Sequence, residues 1–218
     1  LVAGGSGFIA SHCIIQLAAA GYNVKATVRD LSRTNKLNQT LLNGLEKHEG
    51  KSDLSVDWQV ANLSSDEGWE EAVRGCDYVL HVASPIAMQL PKNEDEMVKP
   101  AVEGTLRVLK AASKAGVKRV VITSSVAAIM YGTDKQGVFN EEDWTNPESS
   151  TTNVYAKSKT LAEKAAWDFM EQDTSGMELS TVLPAMVFGP ILEEDFGVSV
   201  GAILDMMNGK YPIVPNWD

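Results

Sequence analysis

The sequence has little of what a disulfide scaffold, a metal centre or a membrane protein requires. Its two cysteines, Cys13 and Cys76, stand at no metal-binding spacing, and its three histidines form no i, i+4 pair. No apolar run reaches the ~20 residues that a membrane-spanning helix needs. We therefore expect reduced thiols, no metal site and no membrane partner, with the cytoplasm as the default location.

Positive charge is also scarce. The chain has 29 acidic residues against 19 lysines and arginines, which gives a net charge of −10. No cluster of basic residues offsets this charge locally, so the balance argues against a nucleic-acid partner. An anionic cofactor is still compatible with it, because a few local donors can hold a phosphate inside an acidic protein.

Short apolar segments alternate with longer helical ones along the chain. The sequence predicts strands at 1–3, 24–28, 54–60, 77–83, 118–125 and 179–185, and helices at 8–20, 33–50, 64–75, 94–115 and 153–174. This alternation predicts an α/β fold with a doubly wound, Rossmann-like parallel sheet. The pattern thins beyond Pro184. We expect a dinucleotide-binding domain over 1–183 and the start of an incomplete substrate-binding region over 184–218.

A glycine-rich turn, AGGSGFIA at 3–10, joins the first strand to the first helix. Gly4, Gly7 and Ala10 stand at G-x-x-G-x-x-A spacing. Small residues at these positions allow a tight turn, a close approach of the backbone to a pyrophosphate and close packing of helix on strand. The helix N-terminus offers free N–H groups to the anion. A turn that holds no ligand is the alternative, but the first crossover of a doubly wound sheet favours a dinucleotide.

The end of the second strand, ATVRD, bears on which dinucleotide is bound. Arg29, with Arg33 or Lys36 nearby, suits the 2′-phosphate of NADP. A solvated basic side chain at a strand end is the alternative interpretation. Asp30 suits the ribose hydroxyls of NAD instead, so NAD stays open as the second choice.

The stretch NVYAKSK at 153–159 places a tyrosine four residues before a lysine. On a helix Tyr155 and Lys159 share a face, whereas Lys157 points elsewhere and is expected to be a solvated side chain. A nearby ammonium group favours the phenolate and lowers a tyrosine pKa from its usual value of about 10. This pairing is typical of a proton donor for a carbonyl that receives a hydride.

Hydroxyl groups end the strand KRVVITSS at 118–125. Ser125 stands at its carboxyl end, where ligands bind in such sheets, and is expected to bond the substrate oxygen. Thr123 and Ser124 compete for this role, but hydroxyls that satisfy strand-end backbone groups are the favoured interpretation for both. His81 is expected to be a packed or cofactor-adjacent histidine. Residues 86–90, Val126, Ala127, Met186 and Phe188 are candidates for lining an apolar substrate pocket, with core or surface packing as the equal alternative for each.

Six segments taken together resemble the extended short-chain dehydrogenase/reductases, in their dihydroflavonol reductase-like branch. They are GGSGFIA, ATVRD, HVASP at 81–85, KRVVITSS, NVYAKSK with the following TLAEKAAW, and LPAMVFGP at 183–190. The resemblance spans nearly the whole chain. It implies an NADPH-dependent reductase of a small ketone or aldehyde, with Ser125, Tyr155 and Lys159 as the catalytic set and a monomer or homodimer as the assembly.

The same resemblance implies which residues contact the cofactor. Besides Tyr155 and Lys159 these are Gly4, Gly7, Phe8, Ile9, Arg29, Lys36, Asn62, Leu63, Val82, Ala83, Pro85, Pro184 and Val187. Three positions depart from the family pattern, since Ala3 replaces a threonine, Ala10 a glycine and Asn62 an aspartate. The amide oxygen of Asn62 can still accept a hydrogen bond from the adenine amine. The N-W-Y-C-Y signature of cinnamoyl-CoA reductases is absent, which argues against an acyl-CoA substrate.

Two other functions stay open from the sequence. An NAD-dependent nucleotide-sugar epimerase or dehydratase keeps its cofactor bound while hydride leaves and returns, and Arg29 and the HVASP and VFGP stretches argue against it. A non-catalytic nucleotide-binding module is disfavoured by the intact Ser–Tyr–Lys set.

Overall fold

The computed structural model describes residues 1–49, 53–85, 91, 93–192 and 197–210. The strands are β1 (Val2–Ala3), β2 (Val24–Val28), β3 (Val56–Val60), β4 (Tyr78–His81), β5 (Arg119–Thr123) and β6 (Glu178–Val182). The helices are α1 (Phe8–Ala19), α2 (Thr34–Glu49), α3 (Trp69–Val73), α4 (Asp95–Lys114), α5 (Val154–Gln172) and α6 (Gly197–Met207). Short 3₁₀ turns occupy Leu31–Arg33 and Val126–Ala128.

The strands form one parallel sheet in the order β3-β2-β1-β4-β5-β6. The predicted doubly wound parallel sheet is therefore confirmed. Val2 of β1 pairs with Ala26 of β2 on one side and with Leu80 of β4 on the other. The direction of winding reverses at β1, so the crevice at the carboxyl ends of β1 and β4 is the switch point where such sheets bind ligands.

Each face of the sheet packs on its own apolar cluster. Val2 and Ala3 are neighbours in a strand, so their side chains point to opposite faces. Val2 joins a cluster with Ile14 of α1 and Leu41 of α2. Ala3 joins a second cluster, to which α3, α4 and α5 contribute. The two faces together hold the strand ends, and the loops that follow them, in place.

The observed elements differ from the predicted ones at several ends. The helix predicted over 64–75 is only Trp69–Val73, because the indole Nε1 of Trp69 donates to the carbonyls of Asn62 and Ser65, both at 3.1 Å, and this holds the preceding residues in turns. Helix α6 was not predicted, since its residues follow the point where the alternating pattern thins. The domain boundary at 183/184 stays a prediction.

The long helices α4 and α5 pack against each other within the chain. The oligomeric state, monomer or homodimer, stays a prediction. Within the described ranges no helix combines the length and apolarity that crossing a membrane requires.

A glycine at the start of α3 provides a test of this architecture. Gly68 has a φ of 86°, and a Cβ placed there would lie 2.0 Å from the carbonyl oxygen of Val60. We expect Gly68→Ala to lower the free energy of unfolding by more than about 2 kcal/mol, because left-handed strain and a backbone clash add up. Thermal or denaturant unfolding measures the loss.

Gly75→Ala is the matched control. Gly75 also has a positive φ, 72°, but nothing lies within 4 Å of a Cβ built there. The strain of a left-handed alanine should lower the free energy of unfolding of Gly75→Ala by only about 1 kcal/mol. Equal losses in the two variants would contradict the predicted clash at Gly68.

Candidate active site

The turn after β1 is tight and lies against the loop after β4. Gly4 has a φ of 81°, and its N–H donates to the Thr27 hydroxyl at 2.9 Å. A Cβ at Gly4 would lie 2.9 Å from the Cα of Ala83. Only glycine fits this position, which keeps the two loops in contact at the switch point.

The turn leads directly into the N-terminus of α1. Gly7 precedes the helix in an extended conformation, and no side chain caps the first turn. The first N–H groups of a helix have no intrahelical partner, and in α1 they belong to residues that include Phe8 and Ile9. The backbone of the four residues predicted at this loop, Gly4, Gly7, Phe8 and Ile9, thus forms a cradle that suits a pyrophosphate.

Arg29 and Asp30 follow directly after β2, and Lys36 lies in the first turn of α2. Arg29 and Lys36 are exposed. Asp30 caps the Leu31–Arg33 turn, where its carboxylate accepts from the N–H of Ser32 at 2.8 Å and from the Ser32 hydroxyl. These two hydrogen bonds lower the pKa of Asp30. The acid that suits NAD is therefore engaged within its own loop, whereas Arg29 is available to a phosphate.

The residues predicted after β3 have different surroundings. Asn62 is exposed, and its Oδ1 accepts from the N–H of Ser64 at 3.0 Å. An amide oxygen has two lone pairs, so a second donor can still bind there. Leu63 packs against α4, since a Cβ built at Gly104 of that helix would lie 2.8 Å from the Cβ of Leu63. Leu63 thus belongs to the apolar cluster on the α4 face of the sheet.

The loop after β4 and the loop after β6 complete the crevice. Val82, Ala83 and Pro85 are half-buried, and residues 86–90, predicted as part of a substrate pocket, lie outside the described residues. The Pro184 carbonyl accepts from the N–H of Val126 at 3.1 Å. The Val187 N–H donates to the Ser199 hydroxyl at 3.1 Å. The loop after β6 is thereby joined to the turn after β5 and to α6.

Helix α5 brings the tyrosine and the lysine together. Asn153 caps it by accepting from the N–H of Ala156 at 2.8 Å, which places Tyr155 in the first turn. Tyr155 is 36% exposed and Lys159 only 8%. The Lys159 Nζ lies 5.9 Å from the centroid of the Tyr155 ring and donates to the Thr123 carbonyl at 3.3 Å.

Burial changes the acid–base behaviour of Lys159. Loss of hydration lowers its pKa to about 8, and the negative charge of Glu163 opposes this shift. The ammonium group is thus kept beneath the tyrosine at a cost in hydration. A desolvated cation therefore lies next to a partly exposed phenol.

Ser125 stands at the start of the turn that follows β5. It is buried, and its Oγ accepts from the N–H of Ala127 at 3.2 Å. Its hydroxyl hydrogen can therefore be donated elsewhere. Helix α5 packs on the Val126–Ala128 turn and contacts Thr123 through Lys159. The three residues predicted as catalytic thus come from two elements in contact.

Two side chains near the proposed catalytic residues have other partners than the sequence predicted. Ser124 was expected to satisfy backbone groups, but its hydroxyl donates to the Glu163 carboxylate instead. Lys157 was expected to be solvated, but it pairs with Glu94 at 3.2 Å and Glu148 at 3.7 Å. Both outcomes depend on residues distant in sequence, which local patterns do not reveal. As predicted, Lys157 does not face Tyr155.

His81 is a packed histidine, as the favoured interpretation had it. Burial, reinforced by the charge of Lys159, lowers its pKa to about 3, so the ring is neutral. Its Nε2 lies 3.4 Å from the Thr105 hydroxyl. Sequence reasoning missed Glu163, although its position four residues after Lys159 places both on one helix face. No group of three or more metal-ligating side chains occurs among the described residues.

Comparison with known proteins shows the family and the relatives of the chain. The profile of the NAD dependent epimerase/dehydratase family matches residues 1–215. Anthocyanidin reductase from Vitis vinifera is 38% identical over 217 residues, 96% of this chain and 62% of the relative. Dihydroflavonol 4-reductase from Arabidopsis thaliana is 38% identical over 197 residues, 88% of this chain and 50% of the relative.

A solved structure of a reductase is also similar to this chain. Yeast methylglyoxal/isovaleraldehyde reductase, solved in complex with NADPH, superposes with a TM-score of 0.72 at 33% identity, covering 87% of this chain and 58% of that one. The chain thus spans about three-fifths of the length of the first curated relatives that it matches.

The buried charge of Lys159 predicts how stability depends on pH. Its folded pKa of about 8 lies below the ordinary value of 10.5, so between these values the unfolded chain binds more protons and stability rises with pH. In the cofactor-free protein at about pH 7 we expect Lys159→Met to raise Tm by about 2–4 °C. This gain should disappear above about pH 10.5.

Lys157→Met is the control for this prediction. The hydrogen bond with Glu94 raises the pKa of Lys157, so its charge favours the folded state and its removal should not raise Tm. Thermal unfolding of both variants across pH checks the sign. A gain for Lys159→Met that does not change with pH would contradict the proposed cause.

Proposed function

The chain belongs to the NAD dependent epimerase/dehydratase family, and we propose that it is an NADPH-dependent reductase of a ketone or aldehyde. One observation carries this proposal: the buried ammonium of Lys159 lies 5.9 Å from the ring of the partly exposed Tyr155. Lys159 donates to the carbonyl of Thr123, two residues before Ser125, at the carboxyl end of β5, and this edge of the sheet is where such folds bind ligands.

Tyr155 acts as the proton donor. NADPH, when bound, supplies the hydride that adds to the carbonyl carbon. The Tyr155 hydroxyl gives its proton to the carbonyl oxygen, so that an alcohol leaves and a phenolate remains. Lys159 stabilises this phenolate electrostatically and makes the proton easier to give. The exposure of Tyr155 lets solvent return the proton.

Ser125 orients the substrate. Because its Oγ already accepts from the N–H of Ala127, its hydroxyl hydrogen is free for the substrate oxygen. A hydrogen bond at that oxygen strengthens as negative charge develops there, and this stabilises the transition state more than the ground state. In this proposal the substrate oxygen accepts from two donors, Ser125 and Tyr155.

The crevice residues hold the cofactor. Gly4, Gly7 and the first N–H groups of α1 would bind the pyrophosphate, and Arg29 with Lys36 would bind the 2′-phosphate. Two observations support NADPH over NAD: Asp30 is engaged with Ser32, and the yeast reductase was solved with NADPH. Lys159 would also bond the nicotinamide ribose, and the loop that carries Pro184 and Val187 would meet the nicotinamide.

The substrate has an apolar part. Met186 and Phe188 are 40% and 55% exposed on the loop after β6, which an apolar ligand would cover. The curated relatives reduce anthocyanidins and dihydroflavonols by their names, and the yeast enzyme reduces methylglyoxal and isovaleraldehyde. We propose a small carbonyl compound with a hydrophobic group as the substrate.

Tyr155→Phe tests the proton donor, since it removes only the hydroxyl. We expect kcat to fall at least about 100-fold, because a positioned acid contributes that much. The dissociation constant of NADPH should stay close to that of the wild type. NADPH oxidation with a panel of ketones and aldehydes, together with NADPH fluorescence, measures both. These assays should use the full-length protein, with any residues that lie outside these 218.

The control is Tyr78→Phe. Tyr78 lies in β4 and is 52% exposed, away from Lys159. The Tyr78→Phe substitution should leave kcat unchanged. Retained turnover in Tyr155→Phe would reject the assignment, and NAD held tightly by the purified wild type would favour an epimerase or dehydratase.

Arg29→Ala tests the cofactor preference. A charged hydrogen bond to the 2′-phosphate is worth about 1.5–3 kcal/mol, so we expect the dissociation constant of NADPH to rise about tenfold or more. NADH binding should hardly change, because NADH lacks that phosphate. Arg74→Ala, at an exposed arginine paired with Glu71, is the control. Equal weakening of both cofactors would contradict the assignment.

A further inference from the structure

We propose that the buried carboxylate of Glu163 is a positioning residue: it fixes the end of β5 through Ser124 and keeps Lys159 in its charged form. This inference rests on the proposed function, because Ser125 and Lys159 are the residues whose placement and charge it serves. Glu163 itself contacts neither substrate nor cofactor in this proposal.

The carboxylate is held between a strand and a helix. Glu163 lies one helical turn after Lys159 on α5 and is 5% exposed. One of its oxygens accepts from the Ser124 hydroxyl, and the other lies 3.5 Å from the indole nitrogen of Trp167. The N–H of Ser124 is in turn bonded to the Val182 carbonyl at 2.8 Å. The carboxylate therefore ties α5 to the strand end next to Ser125.

Glu163 and Lys159 face the same small cavity. It has a volume of about 20 Å³ and is also lined by His81, Thr105 and Ser124. This volume suits one water molecule. The Nδ1 of His81 is buried and has no hydrogen-bond partner among the described residues. A carboxylate and an ammonium group that share such a poorly hydrated space interact far more strongly than on a surface.

The other charged groups nearby do not replace Glu163. His81 of β4 is neutral, since burial lowers its pKa to about 3, and α4 and β5 bring only uncharged side chains to the cavity. On the far side of Glu163 a groove of about 500 Å³ is lined by Glu141. Lys164 lies 5.1 Å above the Trp144 ring. Among the described residues, Glu163 is thus the anion that faces Lys159 across the cavity.

This placement has a consequence for the proposed reaction. Without the charge of Glu163, Lys159 should lose its proton at a lower pH. The Tyr155 phenolate would then lack its stabilising ammonium, and turnover would fail earlier on the alkaline side. Loss of the Ser124 bond alone should loosen the strand end without removing the charge.

Glu163→Gln separates charge from shape, because the amide has the same size and can still accept from Ser124. Isotope-labelled lysine, observed by NMR in the cofactor-free full-length protein, reports the titration of Lys159, which Lys159→Arg assigns. We expect a midpoint of about 8 in the wild type. In Glu163→Gln it should be about 1 pH unit lower. Glu171→Gln, at an exposed acid of the same helix, should leave it unchanged.

The pH profile of kcat links this titration to the reaction. In Glu163→Gln the alkaline limb should move down by about the same 1 unit, while kcat on the acid side stays near that of the wild type. Ser124→Ala should lower kcat by about tenfold at every pH, because Ser125 is less well placed, and leave the alkaline limb where it is.

The possible outcomes are distinguishable. An unchanged Lys159 midpoint in folded Glu163→Gln overturns the proposal, and so does a lowered midpoint without a shift of the alkaline limb. If Glu163→Gln does not fold, Glu163→Met removes the same charge with a flexible apolar chain, and the same two measurements decide. A wild type that oxidises no NADPH with any carbonyl overturns the proposed function instead, and the NMR titration still tests the charge coupling.

Discussion

A single buried cation organises the site. Burial makes the charged form of Lys159 costly, and two interactions offset this cost: the hydrogen bond to the Thr123 carbonyl and the field of Glu163. Both depend on α5 lying against the end of β5. His81 is neutral mainly because it is itself buried, and the charge of Lys159 adds to this effect.

A second constraint is the close approach of two loops at the switch point. Gly4 and Ala83 come so near that a side chain at Gly4 would overlap the backbone. This contact follows from the place of β1 between β2 and β4, where the direction of winding reverses. The proposed phosphate cradle follows β1, and the proposed proton donor lies on α5, which contacts the end of β5 through Lys159; β4 stands between these two strands. Both therefore belong to the carboxyl edge of the sheet. A cofactor that spans this edge reaches both.

Much of the fold was predictable from the sequence because parallel strands buried on both faces form short apolar runs. Their ends were less predictable, as α3 shows, since the indole of Trp69 bonds backbone carbonyls and keeps the preceding residues out of the helix. Helix α6 was missed because no alternating strand pattern surrounds it. Ser124 and Lys157 were assigned wrong surroundings, since both find partners far along the chain.

The sequence by itself determined what local spacing controls. It placed Gly4 and Gly7 in a turn before a helix, and it placed Tyr155 and Lys159 on one helix face, because helical periodicity is a local property. Only the tertiary structure decided the state of those groups. Glu163 meets a serine 39 residues away, and Lys159 becomes desolvated, through the packing of α5 on β5. Hydration and charge depend on all the neighbours of a group, and packing brings those neighbours together from distant parts of the chain.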